Sequence, residues 1–307
     1  MRLRPVWATA PLLIAALLAP PPARACSVCA CGDPLAAIAE TPGNRGSLRL
    51  ILEAEALTMT AGSEETPGMT DELTQWTVRP SVVWSPLPTL NLSLAVPFTN
   101  KRMVETGTGM NAPMSDLSGL GDVEVGVRWF PFESVDFGSR TRQSVAVMAG
   151  SSFPTGDNDA AQDGVRVDEH GQVGTGGFGP YLGLFYRLGG DVWSGFATLS
   201  GRYRTENSYG YRYGQSLNWA LQGMWQPGEW FAASLTVDGR SAAADRDQAA
   251  DVPNTGGLVL ALTPAVHANV FAGAWLFARA QLPVYTALLG EQTVGPVFTF
   301  GVRYEAQ

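Results

Sequence analysis

The chain has 307 residues, of which 45% are hydrophobic and 16% charged, with 35 Gly and 9 Trp. That charge content lies well below the roughly one quarter usual for soluble domains, and a formal net charge of -8 argues against nucleic acid, which needs a basic face. After residue 25 no apolar run reaches the ~18 residues that a transmembrane helix needs, which leaves strands as the means by which so apolar a chain could enter a membrane.

Residues 1–25 read as a secretory signal peptide: Arg2 and Arg4 precede the apolar run VWATAPLLIAALLAP, and Ala23, Arg24 and Ala25 form a small-x-small cleavage pattern. Cys26 would then begin the mature chain, and residues 26–46 form a periplasmic segment ahead of the first strand. Cys26, Cys29 and Cys31 are spaced C-x2-C-x-C. Ala30 stands where haem attachment needs His, a four-cysteine iron–sulfur cluster lacks its fourth ligand, and the βαβ context of thioredoxin chemistry is absent. Three readings stay open. They are a soft metal, Cu(I) or Zn(II), on the three thiolates with Asp33 as a fourth ligand; a disulfide between two of them; and acylation of Cys26. Asp33 and Pro34 suit the start of a short helix through LAAIAE, whose positive end would lower a nearby thiol pKa. A metal here would imply a periplasmic metal or redox protein as partner.

Beyond residue 46 the side chains alternate with period two, as a strand with one face in lipid requires. In DVEVGVRWF, Val123, Val125, Val127 and Trp129 oppose Asp122, Glu124, Gly126 and Arg128; LNLSLAVPF and SLNWALQGMWQ alternate in the same way. Twelve such segments lie near 47–59, 72–84, 89–100, 120–131, 143–154, 177–188, 192–204, 214–226, 230–239, 256–264, 268–282 and 295–305. SPLP, LGGD, QPGE and TPAVH read as tight turns. They alternate with long polar loops, TAGSEETPGMTD, KRMVETGTGMNAPMSDLSG and PTGDNDAAQDGVRVDEHGQVGTGG, while PFESVDFGSRTR is a longer turn on the short side. An all-β, transmembrane antiparallel barrel of about twelve strands over residues 47–307 is expected, seated in outer-membrane lipid with short turns and both chain ends periplasmic. The aromatic last strand, with Phe298, Phe300 and Tyr304, resembles the signal read by barrel-assembly machinery. A soluble sandwich also alternates, but it gives no reason for long loops at one end and short turns at the other.

If the apolar phase faces lipid, the opposite phase lines the lumen. That phase carries Arg49, Glu53, Glu55, Arg79, Asp122, Glu124, Arg128, Arg187, Arg202, Arg204, Asp238, Arg279 and Arg303, with the aromatics Tyr181, Phe185, Phe196, Phe271, Trp275 and Phe277. The charges suit either a network that closes the lumen or a polar path through it; the aromatics suit packing or an apolar slot. GLGDVEVGVRWFPF at 119–132, SSFPTGD at 151–157 and GTGGFGPYLGL at 174–184 resemble a family of outer-membrane barrels associated with the meta-cleavage pathway of phenol degradation, often labelled transporters. The resemblance implies passage or binding of small aromatic or other apolar compounds.

The two histidines give no catalytic pattern. His170 falls in the longest predicted loop and His267 in the TPAVH turn, neither placed beside a serine on a strand, so no enzyme is expected. Asp157, Asp159, Asp163, Asp168 and Glu169 do not match a calcium-loop spacing and read as a solvated acidic loop. The expectation is a channel or transporter. The alternative is a closed barrel that anchors or docks a periplasmic metal or redox partner.

Overall fold

The computed structural model describes residues 45–62, 70–107 and 110–306. The cysteine segment, Asp33 and the predicted signal peptide lie outside the described residues. The described chain is a closed antiparallel barrel. Its strands are β1 (Leu48–Gly62), β2 (Thr70–Leu87), β3 (Leu90–Ala95 continuing as Phe98–Gly107), β4 (Met110–Leu120 continuing as Val123–Asp136), β5 (Thr141–Phe153), β6 (Gly179–Gly189), β7 (Trp193–Arg202), β8 (Ser216–Trp225), β9 (Phe231–Ala242), β10 (Gly257–Phe271), β11 (Ala274–Leu288) and β12 (Gln292–Val294 continuing as Val297–Ala306). Each pairs with its sequence neighbours, and β1 closes on β12 from Leu48↔Ala306 to Ala56↔Phe298. Closure gives every strand of the barrel wall a neighbour on both sides, which is what a sheet in hydrocarbon requires; the extension Met110–Leu120 pairs only with Phe98–Gly107.

Eleven of the twelve predicted segments each fall on one strand, while 268–282 starts in β10 and crosses the reversal into β11; three connections differ. TPAVH is not a turn: β10 runs through it to Phe271. Pro264 is tolerated because the β10–β11 ladder passes from Leu262↔Leu282 to Ala265↔Arg279, so no bond from a missing N–H is needed there. The reversal comes at Ala272 and at Gly273, whose positive φ of 80° glycine accepts without strain. The stretch from Lys101 to Gly119 is mostly a β-hairpin, because β2 begins as early as Thr70 and offers β3 a partner from Val78↔Phe98 to Thr70↔Thr106. On the short side, β4 continues to Asp136, whose carboxylate accepts the Gly138 N–H (2.9 Å) and the Ser139 hydroxyl (2.7 Å) and so ties a tighter turn than expected.

The outward faces carry Leu50, Leu52, Leu92, Leu94, Val125, Leu182, Leu184, Leu199, Leu217, Leu221, Leu235 and Val237, all exposed. Aromatics gather at both rims. Trp84, Trp129, Trp193, Trp225, Trp230 and Phe231 sit at the turn end, and Phe153, Phe178, Tyr203 and Tyr285 at the loop end. An apolar band between two aromatic girdles is the outer surface of a membrane barrel.

Leu184 lies midway along β6 with 56% of its surface exposed. Leu184→Arg is expected to cost about 2–4 kcal/mol, the penalty of a cation near the bilayer midplane. Guanidine unfolding of the vesicle-inserted protein measures it.

Candidate functional site

The lumen is filled unevenly. On the β1–β7 side, Ile51, Val83, Phe130, Ala146, Met148, Tyr181, Phe185 and Phe196 pack into one apolar cluster. Glycines let the rings lie flat against the wall: Tyr181 stands opposite Gly150 and Phe277 opposite Gly301, each occupying the space a Cβ would take. Arg128 is buried against this cluster, its guanidinium 4.5 Å from the Phe185 ring centre and 3.1 Å from the Met148 sulfur. It is packed into the filling and does not line an open space.

On the other side, along β8–β12, runs a cavity of about 210 Å³. Ala242, Gly257 and Leu288 line it at the loop end and His267, Trp275 and Arg303 toward the turn end, so it follows most of the barrel's height. Phe196, Trp275 and Phe277 give it aromatic walls, and Glu53, Glu55, Arg79, Asp238 and Arg279 give it charge. Glu53 is the hub, with Arg279 at 3.2 Å and Arg79 at 3.6 Å on its two oxygens. One buried carboxylate between two guanidiniums avoids the cost of an isolated interior charge.

A second cavity, about 140 Å³, lies at the loop end beneath the outer loops. Asp122, Glu124, Arg202 and Arg204 line it; Glu124 takes a two-pronged pair from Arg202 at 2.8 and 3.3 Å. The two cavities share Arg79, Asn218 and Arg240 as lining residues, which makes them adjoining chambers.

Two sequence-derived placements change. Phe271 points outward with 65% of its surface exposed, against Tyr304 at 6.4 Å between ring centres. The register shift between Asn269 and Phe271 flips its phase. His267 is on β10 and lines the large cavity, with Nε2 3.5 Å from the Ser234 hydroxyl on β9. The charges that act on the ring are those of Arg303 and Arg279, and among the described residues no carboxylate bonds to it. Arg187 is half-buried near the turn end of β6, at Arg187↔Phe196.

The loop after β5 is folded, with a buried part that its reading as a solvated acidic stretch did not include. Val167, Glu169 and Gln172 are buried. Asp122 fixes its base through the N–H groups of Gly156 (3.1 Å) and Thr175 (3.0 Å). Its centre is His170. Nδ1 meets Asp168 at 3.0 Å, and Nε2 meets Asp245, from the loop after β9, at 3.3 Å. Asp245 also accepts the Tyr211 hydroxyl (2.8 Å) and the Gly214 N–H (2.6 Å) from the loop after β7. The Tyr213 hydroxyl donates to the Glu169 carbonyl (2.7 Å), and Lys101 donates to that of His170 (3.1 Å). Three loops are thus tied into one cap. Of the carboxylates expected to be solvated, Asp168 and Glu169 are tied into the cap while Asp157, Asp159 and Asp163 are exposed, and among the described residues no group of three or more His, Cys, Asp or Glu converges as a metal site.

The barrel wall is incomplete at one place. The β11–β12 ladder spans Ala274↔Tyr304 to Gln281↔Val297; beyond it β11 pairs only with β10, and Gln292–Val294 pairs with β1. Pro283 and Pro296, which lack N–H donors, stand where the ladder stops. Pro283, Val294 and Gly295 also line the large cavity, and Val284 and Tyr285 beside them face outward.

No protein-family model matches the chain, and no curated protein matches it in sequence. Among solved structures, the chain is similar to an outer membrane channel from Pseudomonas putida F1, with 11% identity and a TM-score of 0.63 over 86% of this chain and 96% of that one. It also matches the translocator domain of the autotransporter NalP from Neisseria meningitidis (12% identity, 85% of this chain and 89% of that one, TM-score 0.44) and the CymD monoaromatic hydrocarbon channel (7% identity, 86% of this chain and 90% of that one, TM-score 0.41). The first likeness identifies the fold as that of an outer-membrane β-barrel.

The cap makes a pH prediction. Burial opposes the charge on His170, but its bonds to Asp168 and Asp245 outweigh this and hold its pKa well above the ordinary 6.5. Burial likewise opposes ionisation of Asp168, yet the His170 and backbone hydrogen bonds bring it to about 2. The His170 contribution is therefore complete below the ordinary histidine range and is lost as pH rises through the raised value. That of Asp168 is lost as pH falls from 3.8 toward about 2. A nitroxide at Val165→Cys, in a background with the native cysteines changed to Ser, is expected to be immobile at pH 6 and to loosen with alkaline titration. His170→Gln should make it mobile at both.

Proposed function

We propose that this protein is an outer-membrane channel or transporter for small solutes with an apolar or aromatic body, with its short turns on the periplasmic side. The observation that carries this reading is the cavity along β8–β12, which follows the barrel's height instead of ending as a surface dent. Its aromatic walls, Phe196, Trp275 and Phe277, suit an apolar body, and its polar groups suit a wetted passage. The interrupted β11–β12 ladder supports a side route: an apolar solute inside the large cavity would meet lipid between Pro283 and Gly295 without passing the turn-end rim. The apolar cluster on β1–β7 favours the second reading, a closed barrel serving as an anchor.

Planar-bilayer recordings separate the two. The wild type is expected to conduct. Ala261→Trp, which puts an indole into the cavity from a position with 1% exposure, should lower conductance at least about twofold by occluding a narrow path. A well-folded wild type without conductance or solute flux would reject the channel reading.

A further inference from the structure

Three carboxyl groups line the large cavity: Glu53, Glu55 and Asp238. Two of them have partners in the wall. Glu53 holds Arg79 and Arg279, while Asp238 accepts from the Thr263 hydroxyl (2.7 Å) and from the Gln281 amide. Glu55 differs. It lines the same cavity with only 9% of its surface exposed, and its Oε1 is buried without a hydrogen-bond donor among the described residues. The charges of Arg79, Arg279 and Glu53 all act on it, yet Oε1 receives a hydrogen bond from neither guanidinium. A buried acceptor left unmet is costly, so a donor brought by a solute would be favoured there.

The strand register sets this acceptor beside an aromatic wall. Glu55 shares a row with Thr299 on β12 and Arg279 on β11, and the next row carries Glu53, Gly301 and Phe277. The Phe277 ring lies against Gly301, in the space a Cβ would take. On the facing strands, Thr198 Oγ1 of β7 and Asn218 Oδ1 of β8 line the same cavity and are likewise buried without a partner among the described residues. The chemistry of a group that could meet Oε1 follows by elimination. A carboxylate solute has no N–H or O–H on its charged end to donate. A cation is opposed by the two guanidiniums that act on Glu55. A neutral hydroxyl or amide N–H donates and adds no charge.

We propose that the large cavity is a binding site for small neutral molecules that carry a hydroxyl or amide donor on an aromatic or apolar body, with Glu55 accepting the donor and Phe277 covering the body. Such a site discriminates by hydrogen-bond donation, since a body without a donor leaves Oε1 unmet while a body with one satisfies it. Aromatic walls with one placed polar group are the usual make-up of a small-molecule pocket. The inference narrows the solute class of the channel reading and rests on that reading for its biological use, but binding itself is measured without any current.

The test uses the full-length protein in lipid nanodiscs, with protein-free nanodiscs as the blank for partition into lipid. The probes are benzyl alcohol, its methyl ether, which keeps the oxygen and loses the donor, and benzylamine, which is a cation at neutral pH. Calorimetry on the wild type should give benzyl alcohol an affinity at least about fivefold above that of the ether, the worth of one hydrogen bond, and above that of benzylamine. Glu55→Leu should bring alcohol and ether to equal affinity. Glu55→Gln keeps a carbonyl acceptor and should retain a preference for the alcohol, which separates the lost acceptor from a disturbed fold; the heat-dependent gel shift of a folded barrel checks both variants. Phe277→Leu should weaken both neutral probes and leave their ratio unchanged. A wild type that binds the ether as tightly as the alcohol, benzylamine as tightly as either, or a folded Glu55→Leu with an unchanged ratio would overturn the proposal. Preference for the alcohol in a barrel that does not conduct would uphold the site while rejecting the channel, and conductance without that preference would reject the site alone.

Discussion

The backbone ladder between β1 and β12 is the constraint on which the rest depends. In hydrocarbon an unmade amide bond costs several kcal/mol, so a membrane-crossing sheet must close on itself. Closure then forces every strand to divide its side chains between an outer and an inner face. Leu50 and Leu52 go outward while Ile51 and Glu53, on the same strand, go inward. The polar content that would be unusual in a soluble core is thereby delivered to the lumen, and the charge problem of the protein becomes a problem of what fills that lumen.

That problem has different solutions on the two sides. Over β1–β7 the inner face is filled by Phe130, Met148, Phe185 and their neighbours. Even Arg128 is absorbed there, by a ring face and a sulfur. Over β8–β12 the inward residues are smaller, including Ala220, Ser234, Ala261, Thr263 and Ala265, and the cavity is what their size leaves. Glu53 spans the division, since its partners lie on opposite sides of β1 in the barrel order, Arg79 on the adjacent β2 and Arg279 on β11, one strand beyond β12. The ion triad thus braces the wall beside the cavity without occupying all of it.

The strands were legible in the sequence because lipid imposes a period-two pattern that turn chemistry confirms. The errors arose where that pattern lost its physical cause. Beyond the membrane the extended hairpin of β3 and β4 need not be apolar outside, so Lys101 to Gly119 reads as loop although its backbone is paired. Pro264 carries a turn signal, but the ladder can step past one missing donor. Phe271 follows the expected alternation until a register shift reverses it. The cap was hidden for another reason: His170 and Asp245 are 75 residues apart and meet only through tertiary folding. The run YGYRYG, with Tyr211 and Tyr213 in a predicted polar loop, was the available sign that the loops have a core of their own.

The two prolines at the interrupted ladder tie this asymmetry to the cavity. A proline removes one donor wherever it stands, but Pro283 and Pro296 fall on facing strands beyond the last pair, Gln281↔Val297. Each interrupted strand remains paired on its other side, β11 to β10 and β12 to β1, so the cost of the interruption is confined to one seam. The same seam borders the large cavity through Pro283 and Gly295. Had the prolines faced the packed β1–β7 side, the seam would have opened onto buried side chains. Placed here, it thins the wall where the interior is already open, and so the weakest stretch of backbone pairing coincides with the least filled part of the lumen.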